Sequence, residues 1–395
     1  MITFPKSLTI NACEEFLEKL ERTKGDTLLL PVGTSAYAFG GLAAAIQAAN
    51  TWARKSSTRT LQLRQSEKYN EIDELISKPH KFSAAMLAKQ IAFVNDQNVD
   101  IRSKVYAAAK TAIEAQAKQK YGQHYGRLCW FAFVDHSSKG FDDNFYIDGP
   151  NMKSELRQPA QITAVIEAMV EESLMMSGGA KRLGQNTLNY LGRIFYELFI
   201  NTHEHGTRGL TRSEWLKPGM RVIYTQGINM NEEGIKGFIK KQPVLSTYLN
   251  KINGITGVRR QRRFMEISIV DSGLGYCGRW LADHCCDTNQ PILISDEYKT
   301  FKKCFSFRQT STSQNNKGNG LPAVMERLTK LNAFMRIRSG RLALYRDFVT
   351  SPYQKNDTCA FSDWNSRDSA ENNPSQMSPV AGVSITLLIP MEAKQ

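Results

Sequence analysis

The chain has 395 residues, 41% of them hydrophobic and 23% charged, which is ordinary globular composition with room for two or three cored domains and excludes a disordered class. No apolar run of about twenty residues occurs, and MITFPKSLTI lacks the basic flank and apolar core of a secretory signal, so no membrane span and a cytoplasmic location are expected. A net charge of +13 and a pI near 9.3 suit an acidic partner, nucleic acid or an anionic nucleotide; seven scattered cysteines fit a reducing compartment better than a disulfide scaffold.

Residues 1–68 read as a small α/β unit. Strands are predicted at Thr27–Pro31 and Thr60–Leu63 around a helix at Ala38–Arg54, an order that needs a crossover and a parallel pairing. The stretch LLLPVGTSAYAFGGLAAAIQAANTWARK, a strand, a loop and a helix entered through Gly-Leu, resembles the STAS domain of anti-sigma-factor antagonists. Regulated members carry Asp-Ser before that step; Ala38 and Phe39 stand there, although Thr34 and Ser35 lie close. A generic docking domain is the plainer reading.

Residues 69–184 form a mixed helical and hairpin middle segment. Helices are predicted over Lys81–Phe93, Ile101–Lys120 and Ala160–Met176, and strands over Leu128–Val134 and Asn144–Ile147. Asp135, His136, Asp142, Asp143 and Asp148 lack a metal-ligand spacing and read as a hydrated hairpin loop. The segment could also mediate self-association, as in a homodimer.

The chemistry concentrates in 185–395. Leu188, Leu191, Ile194, Phe195, Leu198 and Phe199 fall on one arc of a helix, with Glu197 and Asn201 one turn apart at its edge. There a carboxylate could orient water and an amide oxygen ligate a hard cation. Next, FMEISIVDSGLG reads as a half-buried strand over Met265–Val270, followed by Asp271, Gly273 and Gly275, an acid and two glycines that let a backbone approach a ligand. Then KGNGL, Lys317 to Leu321, opens a helix with core positions at Val324, Leu328 and Leu331, and a helix start offers free amides to phosphate. Finally GVSITLLIP, Gly382–Pro390, reads as a closing strand.

In this order the four segments resemble the GHKL ATPases, the family of gyrase, the large heat-shock chaperone, histidine kinases and MutL. ExxxN at Glu197 and Asn201 matches the N-box, DSGLG and KGNGL match the two glycine boxes, and the last strand is in register with the family's own; the likeness covers roughly Gln185–Pro390. It implies a Bergerat-type α+β sandwich of helices on a mixed sheet, binding ATP and Mg2+. Glu197 would be the general base, Asn201 the magnesium ligand and Asp271 the reader of the adenine amino group. Gly273 and Gly275 would shape the base wall, and Gly318 and Gly320, within Lys317–Leu321, would hinge a phosphate lid. The family's usual Thr in the last strand is Val383 here, which could shift its adenine contact to Ser384. Glu204, three residues past Asn201, departs from histidine kinases, while NTHEHG is similar to the N-box of anti-sigma-factor serine kinases.

Two insertions interrupt this half. Thr207–Arg263 holds a strand-like MRVIYTQGI, a helix around Glu233–Leu249 and the cluster Arg259, Arg260, Arg262 and Arg263. Those arginines would lie roughly 25 Å from the Asp271 end of their strand, at about 3.3 Å per residue, so they are not phosphate ligands. A solvated strand entrance or a nucleic-acid or acidic-protein contact are their two readings. The lid, 276–317, carries Cys277, His284, Cys285, Cys286 and Cys304 without zinc spacing, and Arg308 or Lys317 could reach a terminal phosphate. After a hairpin over Met335–Arg346, the loop insertion 351–379 reads as disorder or a partner contact. Three functions follow: Mg-dependent ATP binding with slow hydrolysis driving a lid and protein-partner switch, serine/threonine phosphotransfer, or ATP sensing by a module that contacts a protein or nucleic acid.

Overall fold

The computed structural model describes residues 1–23, 25–67, 70–96, 99–148, 154–175, 183–256, 262–284, 292–306, 320–354 and 360–391. Chain order begins with β1 (Ile2–Thr3), β2 (Ser7–Leu8), α1 (Ile10–Arg22), β3 (Thr27–Leu30), β4 (Ala36–Tyr37), α2 (Gly41–Lys55) and β5 (Thr60–Leu63). It continues through α3 (Glu71–Ser77), α4 (Pro79–Leu87), β6 (Gln90–Phe93) and α5 (Arg102–Ala117). Strands β1, β3, β5 and β6 make a sheet in that order, parallel throughout. The expected pairing is present, with Thr27 opposite Thr60 and Leu30 opposite Leu63.

The parallel sheet does not stop at residue 68. Lys81–Phe93 is not one helix, because Leu87 ends α4 and QIAF becomes the fourth strand by pairing with β5. An open sheet edge outweighs the local helical composition. Helix α1 forms because Thr9 accepts from the Ala12 amide at 3.3 Å and Ile10, Cys13, Phe16, Leu17 and Leu20 share one buried arc. Helix α2, rich in alanine, is buried at every residue from Gly41 to Ala53. A helix so small in section fits between two sheets.

The second sheet begins with β7 (Gln123–Tyr125) and β8 (Leu128–Phe133), followed by α6 (Pro159–Met175), α7 (Gln185–Asn201), β9 (Arg221–Met230), α8 (Glu232–Lys241) and α9 (Ser246–Thr256). Then come β10 (Arg262–Val270), α10 (Gly275–Asp283), α11 (Ile294–Phe305), α12 (Gly320–Lys330), β11 (Phe334–Gly340), β12 (Leu342–Asp347), β13 (Ser362–Asp363) and β14 (Val380–Pro390). The order is β13-β12-β11-β14-β10-β9-β8-β7, and every pairing is antiparallel. The mixed sheet expected here is therefore corrected: parallel pairing is confined to strands of the amino-terminal unit, in its four-stranded sheet and in the β2–β4 pair. The fold class is α+β. Strands β7 and β8 extend this sheet with residues of the middle segment.

Strand alternation sorts this sheet's side chains onto two cores. Leu128, Trp130, Ala132, Val222, Tyr224 and Val270 join the core around α2, whereas Cys129, Phe131, Phe133, Ile223, Ile269 and Ile385 join the one under α6, α7 and α12. Burial on both faces is why LCWFAF reads as an unbroken apolar run.

Other expectations change in detail. The helix around Glu233–Leu249 is broken at Pro243 into α8, a 3-10 turn and α9. The described parts of the lid, 276–284 and 292–306, hold α10 and α11, with Tyr298, Phe301 and Phe305 buried in the core, so these parts are packed. Residues 360–379 are ordered too: Asp363 accepts from the amides of Asn365 and Ser366 at 2.9 Å and of Ser375 at 2.8 Å, and Phe361 and Ala370 enter the core.

Candidate functional site

Helix α7 buries Leu191, Ile194, Phe195, Leu198 and Phe199 against α6 and α12 and leaves Glu197 at the margin, its side chain 13% exposed. Arg193, one turn earlier, is ion-paired with it. Burial raises the Glu197 carboxyl above the usual range, and Arg193 and Arg327 oppose that. At the start of α12, a side chain on Gly320 would run into Glu197, standing 3.3 Å from its Cδ. Helix start and carboxylate thus meet directly, and a methyl group there would require the Glu197 side chain to shift. Leu321, the next residue, is buried in the core.

Asn201 ends α7, and its Nδ2 is buried without a hydrogen-bond partner among the described residues. Such an orphan costs about 1–3 kcal/mol unless something else satisfies it. The helix then widens into a π turn over Thr202–Gly206, a distortion frequent at functional sites. His203 in that turn lies 3.1 Å from the Tyr146 hydroxyl and is pushed by burial, then by Arg221 and Arg208, down to about 3. It is neutral at physiological pH.

The π turn delivers Gly206 to Asp271. A Cβ on Gly206 would stand 2.7 Å from Asp271 Cγ, and one on Gly273 would stand 2.8 Å from Gly206 Cα. Asp271, 4% exposed, accepts from the Gly273 amide at 2.8 Å and the Val383 amide at 3.3 Å. Burial nevertheless raises its carboxyl to about 6. Gly382, at φ +68°, crosses behind it in a conformation that favours glycine, and its amide donates to Gly273 O at 2.8 Å. Gly275, at φ +75°, turns the chain into α10.

The structure therefore places Gly320 against Glu197 and Gly206 and Gly273 against Asp271, with Asn201 on the helix end between the two contacts; Gly275 packs by Ser339 and Gly382, and Leu321 lies in the core. Lys317, Gly318 and Arg308 lie outside the described residues, as do Cys285, Cys286, Arg259 and Arg260. Ser384 does not join the site. It pairs with Val270 and Arg338, whose side chains belong to the α2 side of the sheet, so alternation aims it away from Asp271. Val383 meets Asp271 through its backbone instead, accepting from the Asp271 amide at 2.9 Å. Of the basic cluster, Arg262 is buried and Arg263 half-buried, so neither forms a solvated patch.

Behind the site lies a network that local spacing could not reveal. Arg221 donates through Nε and Nη2 to Asp135 at 3.0 and 2.7 Å, and through Nη2 to the Tyr146 hydroxyl at 3.0 Å. Tyr146 in turn meets His203, so the π turn is held from β9 and from the 135–146 loop. Asp135 and Asp142 are thus buried and partnered, the latter by Gln116 at 2.9 Å, which corrects the hydrated loop. Arg193 is the one addition the sequence displayed, four residues before Glu197 on the same helix face. His284 stacks on Trp280 at 4.4 Å, and Cys277 is buried.

No helix among the described residues is long and apolar enough to cross a membrane. Compared with protein-family models, with curated proteins and with solved structures, the chain matches none.

Proposed function

We propose that the chain binds ATP with magnesium between α7, α12 and the Asp271 turn, and hydrolyses it slowly. One observation carries this reading: three segments far apart in sequence, which together resemble the GHKL motifs, converge at Gly320 on Glu197 and at Gly206 and Gly273 on Asp271. A generic helical layer over a sheet gives no reason for glycines at all three contacts.

The roles follow from chemistry. Asp271 accepts from the exocyclic amine of adenine. The orphaned Asn201 Nδ2 is a donor and fits a phosphate oxygen, while the Oδ1 of the same amide would be the ligand to a cation that takes few protein ligands and completes its shell with phosphate and water. Magnesium there would neutralise phosphate charge. Glu197 orients a water whose oxygen bonds to the terminal phosphorus as the bond to the ADP oxygen breaks, and it takes the water's proton; a raised pKa suits that task. Arg193 must release Glu197 first, and its guanidinium is free to meet the terminal phosphate as it does so. The amino-terminal unit packs on the opposite face of the sheet from Glu197, which favours water over a hydroxyl of this same chain as acceptor.

Turnover of ATP labelled on its terminal phosphate tests the reaction, with Glu197→Ala as control. Free labelled phosphate that Glu197→Ala abolishes while binding persists supports hydrolysis. Label on protein means a kinase, and binding without either product means a nucleotide sensor.

A further inference from the structure

The amino-terminal unit is sutured to the back of the Asp271 turn by one face of α2. Gln47, Thr51 and Arg54, at spacings of four and three, point at the antiparallel sheet. Gln47 Nε2 donates to Arg338 O at 3.1 Å and Ala381 O at 3.3 Å, with Gly382 O at 3.5 Å. The Thr51 hydroxyl accepts from the Ala381 amide at 3.0 Å. Arg54 Nη2 donates to Ser272 O at 2.8 Å and Pro218 O at 2.9 Å. The contacts to Ser272, Ala381 and Gly382 land on the segments that carry Asp271 or bond to its turn, since Ser272 follows it and Gly382 and Val383 bond to that turn, whereas Arg338 and Pro218 lie on neighbouring segments. Gln47 and Thr51 are fully buried, so water cannot replace what they hold.

We infer that Gln47, Thr51 and Arg54 are positioning residues for base recognition, through which the amino-terminal unit sets adenine affinity without touching the nucleotide. The inference rests on the ATP pocket proposed above. Freed from α2, the turn samples arrangements in which Asp271 is misplaced, and apparent affinity falls by the fraction of time it is correct. Discrimination falls with it, because a carboxylate fixed in place accepts from the amine of adenine and repels the carbonyl of guanine. Contacts to phosphate, made by α7 and α12, are untouched.

The test measures dissociation constants of the full chain for magnesium-ATP, magnesium-GTP and tripolyphosphate, in wild type, Gln47→Ala, Arg54→Ala, Arg54→Lys and Thr51→Val. The last keeps the helix shape and serves where the alanine variants lose their fold. Gln47→Ala and Arg54→Ala should each weaken ATP about tenfold, narrow the ATP-over-GTP preference and leave tripolyphosphate unchanged, with Arg54→Lys recovering part of the loss. Equal weakening of ATP and tripolyphosphate, or unchanged ATP affinity in all variants, overturns the inference while leaving the pocket standing. Absence of ATP binding by wild type overturns the pocket and this inference together.

Discussion

The two faces of the antiparallel sheet are built from the same strands and held by different physics. Toward α6, α7 and α12 the rows read Met265, Ile267, Ile269 and Ile385, Leu387, Ile389. Toward α1 and α2 the middle of the rows reads Glu266, Ser268, Ser384, Thr386, Arg336 and Arg338, all buried, between apolar ends at Phe264, Phe334, Leu388 and Val270. The first face is stabilised by apolar area, which tolerates small shifts. The second needs named partners: Glu14 of α1 bonds Arg338 at 3.0 Å and Arg336 at 3.3 Å, and the Ser268 and Thr386 hydroxyls meet at 3.0 Å. The amino-terminal unit is therefore half of the sheet's support. The proposed site sits on the apolar face, with its turn fastened from the polar one.

The largest effect expected from breaking this contrast is on the polar side. Glu14→Ala leaves two guanidinium groups buried without their carboxylate and should cost about 3–5 kcal/mol in urea unfolding. On the apolar face Leu387→Ala should cost about 2–4 kcal/mol through lost burial and a cavity, with an unchanged urea slope. A loss for Glu14→Ala smaller than that for Leu387→Ala would remove the distinction.

Asp271 sharpens the comparison because it is a charged group placed on the apolar side. Its carboxyl is raised to about 6, mainly by burial, from an ordinary 3.8. Between those values the native chain holds a proton that the unfolded chain has released. Stability without nucleotide should therefore fall as pH rises through this window and stay at the lower level above it. Asp271→Asn should flatten that slope and stabilise the chain by about 1–3 kcal/mol at pH 7.5, while weakening ATP. A site residue that costs stability is what function on a packed face predicts. The smallest effect belongs to Ser384→Ala. That hydroxyl is buried without a partner among the described residues, so its removal should lie within about 1 kcal/mol of neutral, in the stabilising direction.

Much of the fold was legible where pattern and burial agree. The β3 and β5 pairing, the β11–β12 hairpin and the closing strand announce themselves because each shows apolar runs or alternation between turn residues. So do Glu197 and Asn201, whose helix positions follow from period, and Asp271, which directly follows an alternating strand. Illegible parts depend on partners distant in the chain. β6 is a strand because β5 leaves an edge beside it, and Arg221 is buried because Asp135, 86 residues away, meets it. The aim of Ser384 toward α2, away from Asp271, required the register with Val270. The cover of the polar residues on the α2 face is equally illegible, since nothing nearby in sequence declares Glu14 or Gln47 as their partners.

Calorimetric titration of the full chain with ATP, with and without magnesium, comparing wild type with Asp271→Asn, tests the central claim most directly. The proposal expects saturable, magnesium-dependent binding of one ATP per chain, weakened about tenfold or more by Asp271→Asn while the variant's unfolding temperature without nucleotide rises. No binding by wild type, or equal binding by both proteins, would contradict it.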